Sequence, residues 1–222
     1  MTAFAIDGVY PPQQDSQLLL DVLARSGPLQ RRRVADLGTG SGVVAVAAAQ
    51  LGATSVTAFD ICPNAVRCTR RNALAAGVDV HVKLGSWTQA LECEPFDIVV
   101  CNPPYVPSGV DVDVSSIPPW SGPMSAWNGG ADGRLVLDPL CAEAPRMLTD
   151  GGMLLLVQSE FSGIDESVAL LHDSGLNTKI IAVQMIPFGP VLSAHAAGLE
   201  ASGRLSPGRR HELLVVIRAD KR

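Results

Sequence analysis

Val34-Ala35-Asp36-Leu37-Gly38-Thr39-Gly40-Ser41-Gly42, continued by VVAVAAAQLGA at 43–53, is the stretch from which the fold follows. A short apolar strand runs into a turn with glycines at 38, 40 and 42, and an alanine- and valine-rich helix leaves it. Glycine lets the backbone approach a ligand closely. The free N–H groups of the helix start, beginning near Ser41, can receive a carboxylate or phosphate. Asp60, twenty-two residues after Gly38, closes a second apolar run, SVTAFD at 55–60. An acid there can accept hydrogen bonds from both hydroxyls of a ribose. The frame therefore predicts a nucleoside-containing cofactor, with Asp36, Gly38, Gly40, Gly42 and Asp60 as candidate binding residues. A dinucleotide fingerprint needs a small residue where Val43 stands, which disfavours NAD.

Working outward, further valine- and isoleucine-rich runs recur at 78–85, 96–102, 151–159, 178–186 and 211–218. With 32–38 and 55–60 they make seven candidate strands. Helical spacing in GVVAVAAAQLGA, PNAVRCTRRNALAAG and LVLDPLCAEAPRMLTD separates the first five, which implies βαβ units and a mainly parallel sheet with helices on both faces. The link from Phe188 to Arg210 is rich in Gly, Ser and Ala, and its periodicity leaves a hairpin-like excursion and a crossover helix equally open. At roughly 150 residues per domain, 222 residues point to one domain, 1–222, with long loops.

The composition narrows the function. Hydrophobic residues make up 47% and charged residues 18%, enough apolar material for a sizeable core, and a net charge of −5 offers nucleic acid or an anionic membrane no general attraction. The five cysteines form no CxxC pair and the four histidines lack metal-ligand spacing, so neither a disulfide framework nor a metal site is expected. His81, His172, His195 and His211 read as strand or surface residues. The amino terminus has no secretory pattern and no apolar run reaches the roughly 20 residues of a membrane span, so the chain reads as soluble and cytoplasmic.

A second chemical signal is Phe96-Asp97-Ile98-Val99-Val100-Cys101-Asn102-Pro103-Pro104-Tyr105, a strand with a rigid polar and aromatic tip. Asn102 offers an amide oxygen, Pro103 a carbonyl without a competing donor from Pro104, and Tyr105 a flat ring. Two acceptors and a ring suit a planar nitrogen bearing two hydrogens. Asn102, Pro103 and Tyr105 are the candidate catalytic residues. Ser16, before QLLLDVL, is either a helix N-cap or a cofactor contact.

DLGTGSG, the acid-ended second strand and NPPY together resemble the class I S-adenosylmethionine-dependent methyltransferases over nearly the whole chain. Tyr10-Pro11-Pro12-Gln13-Gln14-Asp15-Ser16, Ala126-Trp127-Asn128-Gly129-Gly130-Ala131-Asp132-Gly133-Arg134 and Gly208-Arg209-Arg210-His211-Glu212 are similar to stretches of the HemK-like (HemK2/Mtq2) branch of N5-glutamine protein methyltransferases. The resemblance implies a Rossmann-like, seven-stranded, mostly parallel sheet with an antiparallel last strand. It implies S-adenosylmethionine as cofactor, a protein substrate such as a peptide release factor, and a small activating partner protein. It also tips Ser16 toward cofactor contact and places Ser86 and Trp87 at the adenine, with Ser86 where the family usually has an aspartate. The chain is expected to lack the amino-terminal helical domain of bacterial release-factor enzymes, so substrate grip falls to the loop from Pro107 to Gly133, to the segment from Phe188 to Arg210, or to a partner. NPPY is shared with adenine-N6 methyltransferases of DNA and RNA, which are the nearest rivals, and a small-molecule N-methyltransferase comes third. Arg204, Arg209, Arg210 and Lys221 read as a modest basic cluster.

Overall fold

A computed structural model describes residues 8–108 and 114–222. The candidate strands form one seven-stranded sheet: β1 (Arg33–Leu37), β2 (Ser55–Asp60), β3 (His81–Leu84), β4 (Phe96–Cys101), β5 (Leu148–Ser159), β6 (Asn177–Pro187) and β7 (His211–Asp220), in the order β3-β2-β1-β4-β5-β7-β6. The first five pair in parallel, and β7 lies antiparallel between β5 and β6. The expected mostly parallel sheet with an antiparallel last strand is what the chain builds.

Helices cover both faces of the central strands, and this explains their unbroken apolar runs, because a strand buried on both sides has no polar face to alternate with; β6, at the sheet edge, is largely exposed. Along β4 and β5, Ile98, Val100, Leu155 and Val157 enter the core shared with α1 (Gln14–Arg25), α2 (Val43–Gln50) and α3 (Pro63–Ala76). Their neighbours Val99, Cys101, Leu154 and Leu156 enter the core under α4 (Leu137–Met147) and α5 (Ile164–Asp173). The Phe188–Arg210 link is the hairpin-like excursion rather than a crossover, because β6 and β7 are adjacent and antiparallel. It contains a helix, α6 (Pro190–Ala201), yet returns to an antiparallel β7 beside β6. α6 builds a satellite core in which Val191, Leu192, Ala196 and Leu199 meet Val106 and Trp127.

Several expectations are corrected. His195 is neither a strand nor a surface residue: it is buried on α6, its ring packs edge-on against Trp127, and its Nδ1 bonds the Val191 carbonyl. Arg209 and Arg210 are paired with Glu160 and Glu200, and Lys221 caps the Pro145 and Leu148 carbonyls at the far end of β7, so no basic cluster forms. Ser16 is not an N-cap, because α1 starts at Gln14 and Gln13 holds that position. The loop from Pro107 to Gly133 contains three 3₁₀ turns, and 109–113 within it lie outside the described residues.

The sheet order reverses between β1 and β4, and ligands of open α/β sheets bind outside the carboxyl ends of the strands at such a switch. Gly42 makes the turn there possible. Its φ is +81°, and a Cβ on it would stand 2.6 Å from Thr69 Cγ2 and 2.9 Å from Thr69 Cα on α3. Gly42→Ala is expected to lose roughly 2–5 kcal/mol in urea denaturation, from left-handed strain plus overpacking. Gly77→Ala, at φ +67° with open space around it, should lose only the strain, about 1–2 kcal/mol. Equal losses would show that the α2–α3 contact is not what requires glycine.

Candidate functional site

At the switch point lies a crevice of about 370 Å³. It is lined by the turn Asp36–Ser41, the β2 end Phe59–Cys62, Gly85–Trp87 after β3, Cys101–Val106 after β4, and Tyr10–Pro12, Asp15 and Ser16 around the start of α1. Among the described residues no Lys, Arg or His lines it, and its ionisable walls are acids, tyrosines and cysteines.

Asp36 is almost fully buried. Its Oδ2 accepts the Thr39 hydroxyl at 2.6 Å and the Ala45 N–H at 3.1 Å, so it locks the turn onto the first turn of α2. Burial pushes its pKa up to about 6 against these two bonds. Asp60 accepts the Gly40 N–H through Oδ2 and the Cys62 N–H through Oδ1, both at 2.8 Å. Each oxygen keeps a second lone pair for a hydroxyl, since an ionised carboxylate has about four acceptor sites. Burial raises the Asp60 pKa as well.

The glycines divide by role. Gly38 and Gly40 line the crevice in left-handed conformations, and no atom lies within 4 Å of where a Cβ on Gly40 would stand. That open cradle beside Asp60 fits a nucleoside cofactor. Gly42, predicted as a third cofactor residue, faces Thr69 and does not line the crevice. Ser86 and Trp87 do line it, and the Ser86 hydroxyl accepts from Thr88 N–H to start the 3₁₀ turn Trp87–Glu92.

The NPPY tip is held from α1. Asn102 Nδ2 donates to Ser16 Oγ at 3.3 Å. With its nitrogen tied back, the Asn102 amide keeps its oxygen as the free acceptor. The Tyr105 hydroxyl donates to Asp15 Oδ2 at 3.0 Å. Its ring packs against three apolar clusters, and burial lifts its pKa well above the usual tyrosine value, so it remains a neutral donor. Cys101, just before the tip, is buried and donates to the Leu37 carbonyl, its pKa raised by burial. The prediction missed Asp15, Tyr10 and Trp127 as crevice residues. All three had a signal, Tyr10 and Asp15 in the stretch ending at Ser16 and Trp127 in the stretch from Ala126 to Arg134.

The comparisons agree with this geometry. Residues 6–116 match the family model described as the methyltransferase small domain. The chain is 31% identical over 188 residues, 85% of its length and 91% of the relative, to a Methanocaldococcus jannaschii protein assigned as an N5-glutamine methyltransferase. It is 36% identical to the release factor glutamine methyltransferase of Xylella fastidiosa (strain Temecula1), over 89% of this chain and 67% of that one. Among solved structures, Mtq2 in the E. cuniculi Mtq2–Trm112 complex, described as methylating the termination factor eRF1, superposes with a TM-score of 0.64 at 26% identity, covering 97% of this chain and 99% of that one. The chain therefore belongs to the methyltransferase small domain family, among the protein N5-glutamine methyltransferases.

Proposed function

We propose that the chain transfers a methyl group from S-adenosylmethionine to the side-chain amide nitrogen of a glutamine in a protein, a peptide release factor being the substrate class its relatives name. The observation that carries this is the pair of acceptors at Asn102 and Pro103, with the Asn102 amide oriented by Ser16, in a crevice lined by no cation among the described residues. A flipped adenine would offer a similar amino group but bring phosphates, and phosphates are bound by Lys and Arg. The walls here favour an uncharged polypeptide side chain over nucleic acid.

S-Adenosylmethionine, when bound, supplies an electrophilic methyl on a sulfonium. Asp60 would hold its ribose, Gly38 and Gly40 would admit its backbone-facing edge, and Ser86 and Trp87 would border its base. A carboxamide nitrogen is a poor nucleophile, its lone pair being delocalised into the carbonyl, so positioning must contribute much of the acceleration. As that nitrogen becomes tetrahedral its hydrogens gain positive character. The Asn102 oxygen and Pro103 carbonyl then bind it more strongly than in the ground state. Asparagine is no base, so the proton leaves late, to water.

A small partner protein belongs to the same reading. The solved Mtq2 is complexed with Trm112, and in this chain the sheet ends at β3, where Leu84 and the nearby Ile61 are exposed apolar side chains. The reading also places the protein in the cytoplasm, in keeping with five free cysteines. No helix among the described residues is long and apolar enough to cross a membrane.

Labelled cofactor incubated with release factors, nucleic acid and cell extract should label a glutamine-containing peptide; label in adenine would overturn the reading. Asn102→Ala should bind cofactor normally by calorimetry while turnover falls roughly 10²–10³-fold. Ser16→Ala removes one hydrogen bond of about 1 kcal/mol, so turnover should drop about fivefold with cofactor affinity unchanged. A weakened affinity would instead make Ser16 a cofactor contact. Asp60→Ala should weaken cofactor binding roughly 10²–10⁴-fold, the loss of two charged hydrogen bonds of about 1.5–3 kcal/mol each.

A further inference from the structure

Asp15 reaches two side chains of the reaction tip, one directly and one through its neighbour. An acid in the first turn of a helix ordinarily serves the helix, since it faces the positive end of the dipole. Asp15 does so with one bond, its Oδ1 accepting the Ser16 N–H at 2.5 Å. Its other bonds serve the tip. Oδ2 accepts the Tyr105 hydroxyl at 3.0 Å, from 90 residues along the chain, and Oδ1 also accepts the Ser16 hydroxyl at 3.2 Å. Both residues line the crevice, Asp15 half-buried and Ser16 buried.

The direction of these bonds decides what they do. A hydroxyl has one proton to give and two lone pairs. The Ser16 proton goes to Asp15, which leaves its lone pairs for Asn102 Nδ2, 3.3 Å away. The Asn102 carboxamide therefore stands with its nitrogen toward Ser16 and keeps its oxygen as an acceptor. Packing cannot make this choice, because the two ends of an amide have nearly the same shape and differ only in donating or accepting. Without Asp15 the Ser16 hydroxyl can turn its proton on Asn102. The amide then favours the reverse orientation, which presents a donor where the reaction needs an acceptor. Tyr105 loses its hydroxyl anchor at the same time.

We propose that Asp15 is a positioning residue of the methyl-transfer site: its carboxyl group sets the Asn102 amide through the Ser16 hydroxyl and holds Tyr105 directly, so both side chains take their orientation from the first turn of α1. The inference rests on the proposed role of that tip in binding the acceptor amide. Asp15 acts through these two residues and not on the substrate or the cofactor.

A mutant cycle tests this, setting Asp15→Ala against the pair Ser16→Ala/Tyr105→Phe and measuring kcat, KM, cofactor affinity by calorimetry and melting temperature for each. Two hydrogen bonds at about fivefold each predict that Asp15→Ala lowers kcat about 25-fold, with cofactor affinity unchanged. The pair should lose about as much, and adding Asp15→Ala to it should cost less than about twofold more. An undiminished further loss in that background, or a weakened cofactor affinity, would show Asp15 acting on substrate or cofactor itself and would overturn the proposal. So would a lowered melting temperature with kcat unmoved, the result of a role confined to the helix start. Asp15→Asn keeps the shape and one acceptor oxygen, so its kcat should fall between wild type and Asp15→Ala. NMR of the chain labelled with nitrogen-15 asparagine reads the network without turnover. The Asn102 side-chain amide, identified by its loss in Asn102→Ala, should shift and exchange its protons faster in Asp15→Ala, and to a smaller degree in Asp15→Asn. A signal unmoved in both variants overturns the proposal. If the wild type methylates no glutamine, the proposed function fails, and this signal still decides whether Asp15 orients Asn102.

Discussion

One carboxylate oxygen, Oδ2 of Asp36, joins three elements that otherwise have no reason to stay in register: the end of β1, the glycine turn and the first turn of α2. The Ala45 N–H it accepts is one of the donors that a helix start leaves without an intrahelical partner, and the positive end of the helix dipole favours a negative charge there. The same turn sends the Gly40 N–H to Asp60, so the β2 acid is oriented through the β1 turn. Asp36 lies at the crevice wall, yet its bonds show a carboxylate employed in shaping the binding turn. Burying that charge is costly, as its raised pKa indicates, and two hydrogen bonds with the helix start offset part of the cost.

A second dependence runs from α1 to β4. Asp15 and Ser16 are adjacent in sequence, and between them they anchor Tyr105 and Asn102. A proline pair stiffens the loop but cannot choose which end of the Asn102 amide faces the crevice; a hydroxyl accepting from Nδ2 makes that choice. The motif before α1 therefore acts at a distance of 86 residues along the chain, on the orientation of an acceptor. Because α1 packs through Leu18, Leu19, Val22 and Leu23 into the cluster that Tyr105 also joins, α1 and the reaction tip share one packed core.

This is also why the fold was more legible than the site. Runs such as SVTAFD and FDIVVCN become strands because length, β-branching and flanking breakers agree; the first is a strand over the same residues and the second ends one residue earlier, at Cys101. A glycine string, by contrast, marks positive φ without saying who needs it. Gly40 opens toward the crevice and Gly42 toward Thr69, and only the path of α3 separates the two. Ser16 could be read as a cap or a ligand from its neighbours, whereas its partner, Asn102, comes from another strand. Likewise Glu212 looks like one polar residue at the head of a strand until the antiparallel return of β7 carries it to the crevice side of the sheet.

The charge layout ties these observations to substrate choice. Acids concentrate at the carboxyl ends of the strands, at Asp15, Asp36, Asp60, Glu160 and Glu212, while Arg209 and Arg210, just before β7, are each bound to a glutamate. A site for polyphosphate or nucleic acid would reverse that pattern, leaving cations free and acids sparse. The opposite arrangement suits a sulfonium and a neutral acceptor, while a carboxylate can be met by the backbone N–H groups at a helix start without a side-chain cation. It also explains why so many groups here have raised pKa values: acids gathered in a buried place hold their protons more tightly, and a chemistry that needs hydrogen-bond acceptors without a strong base can tolerate that.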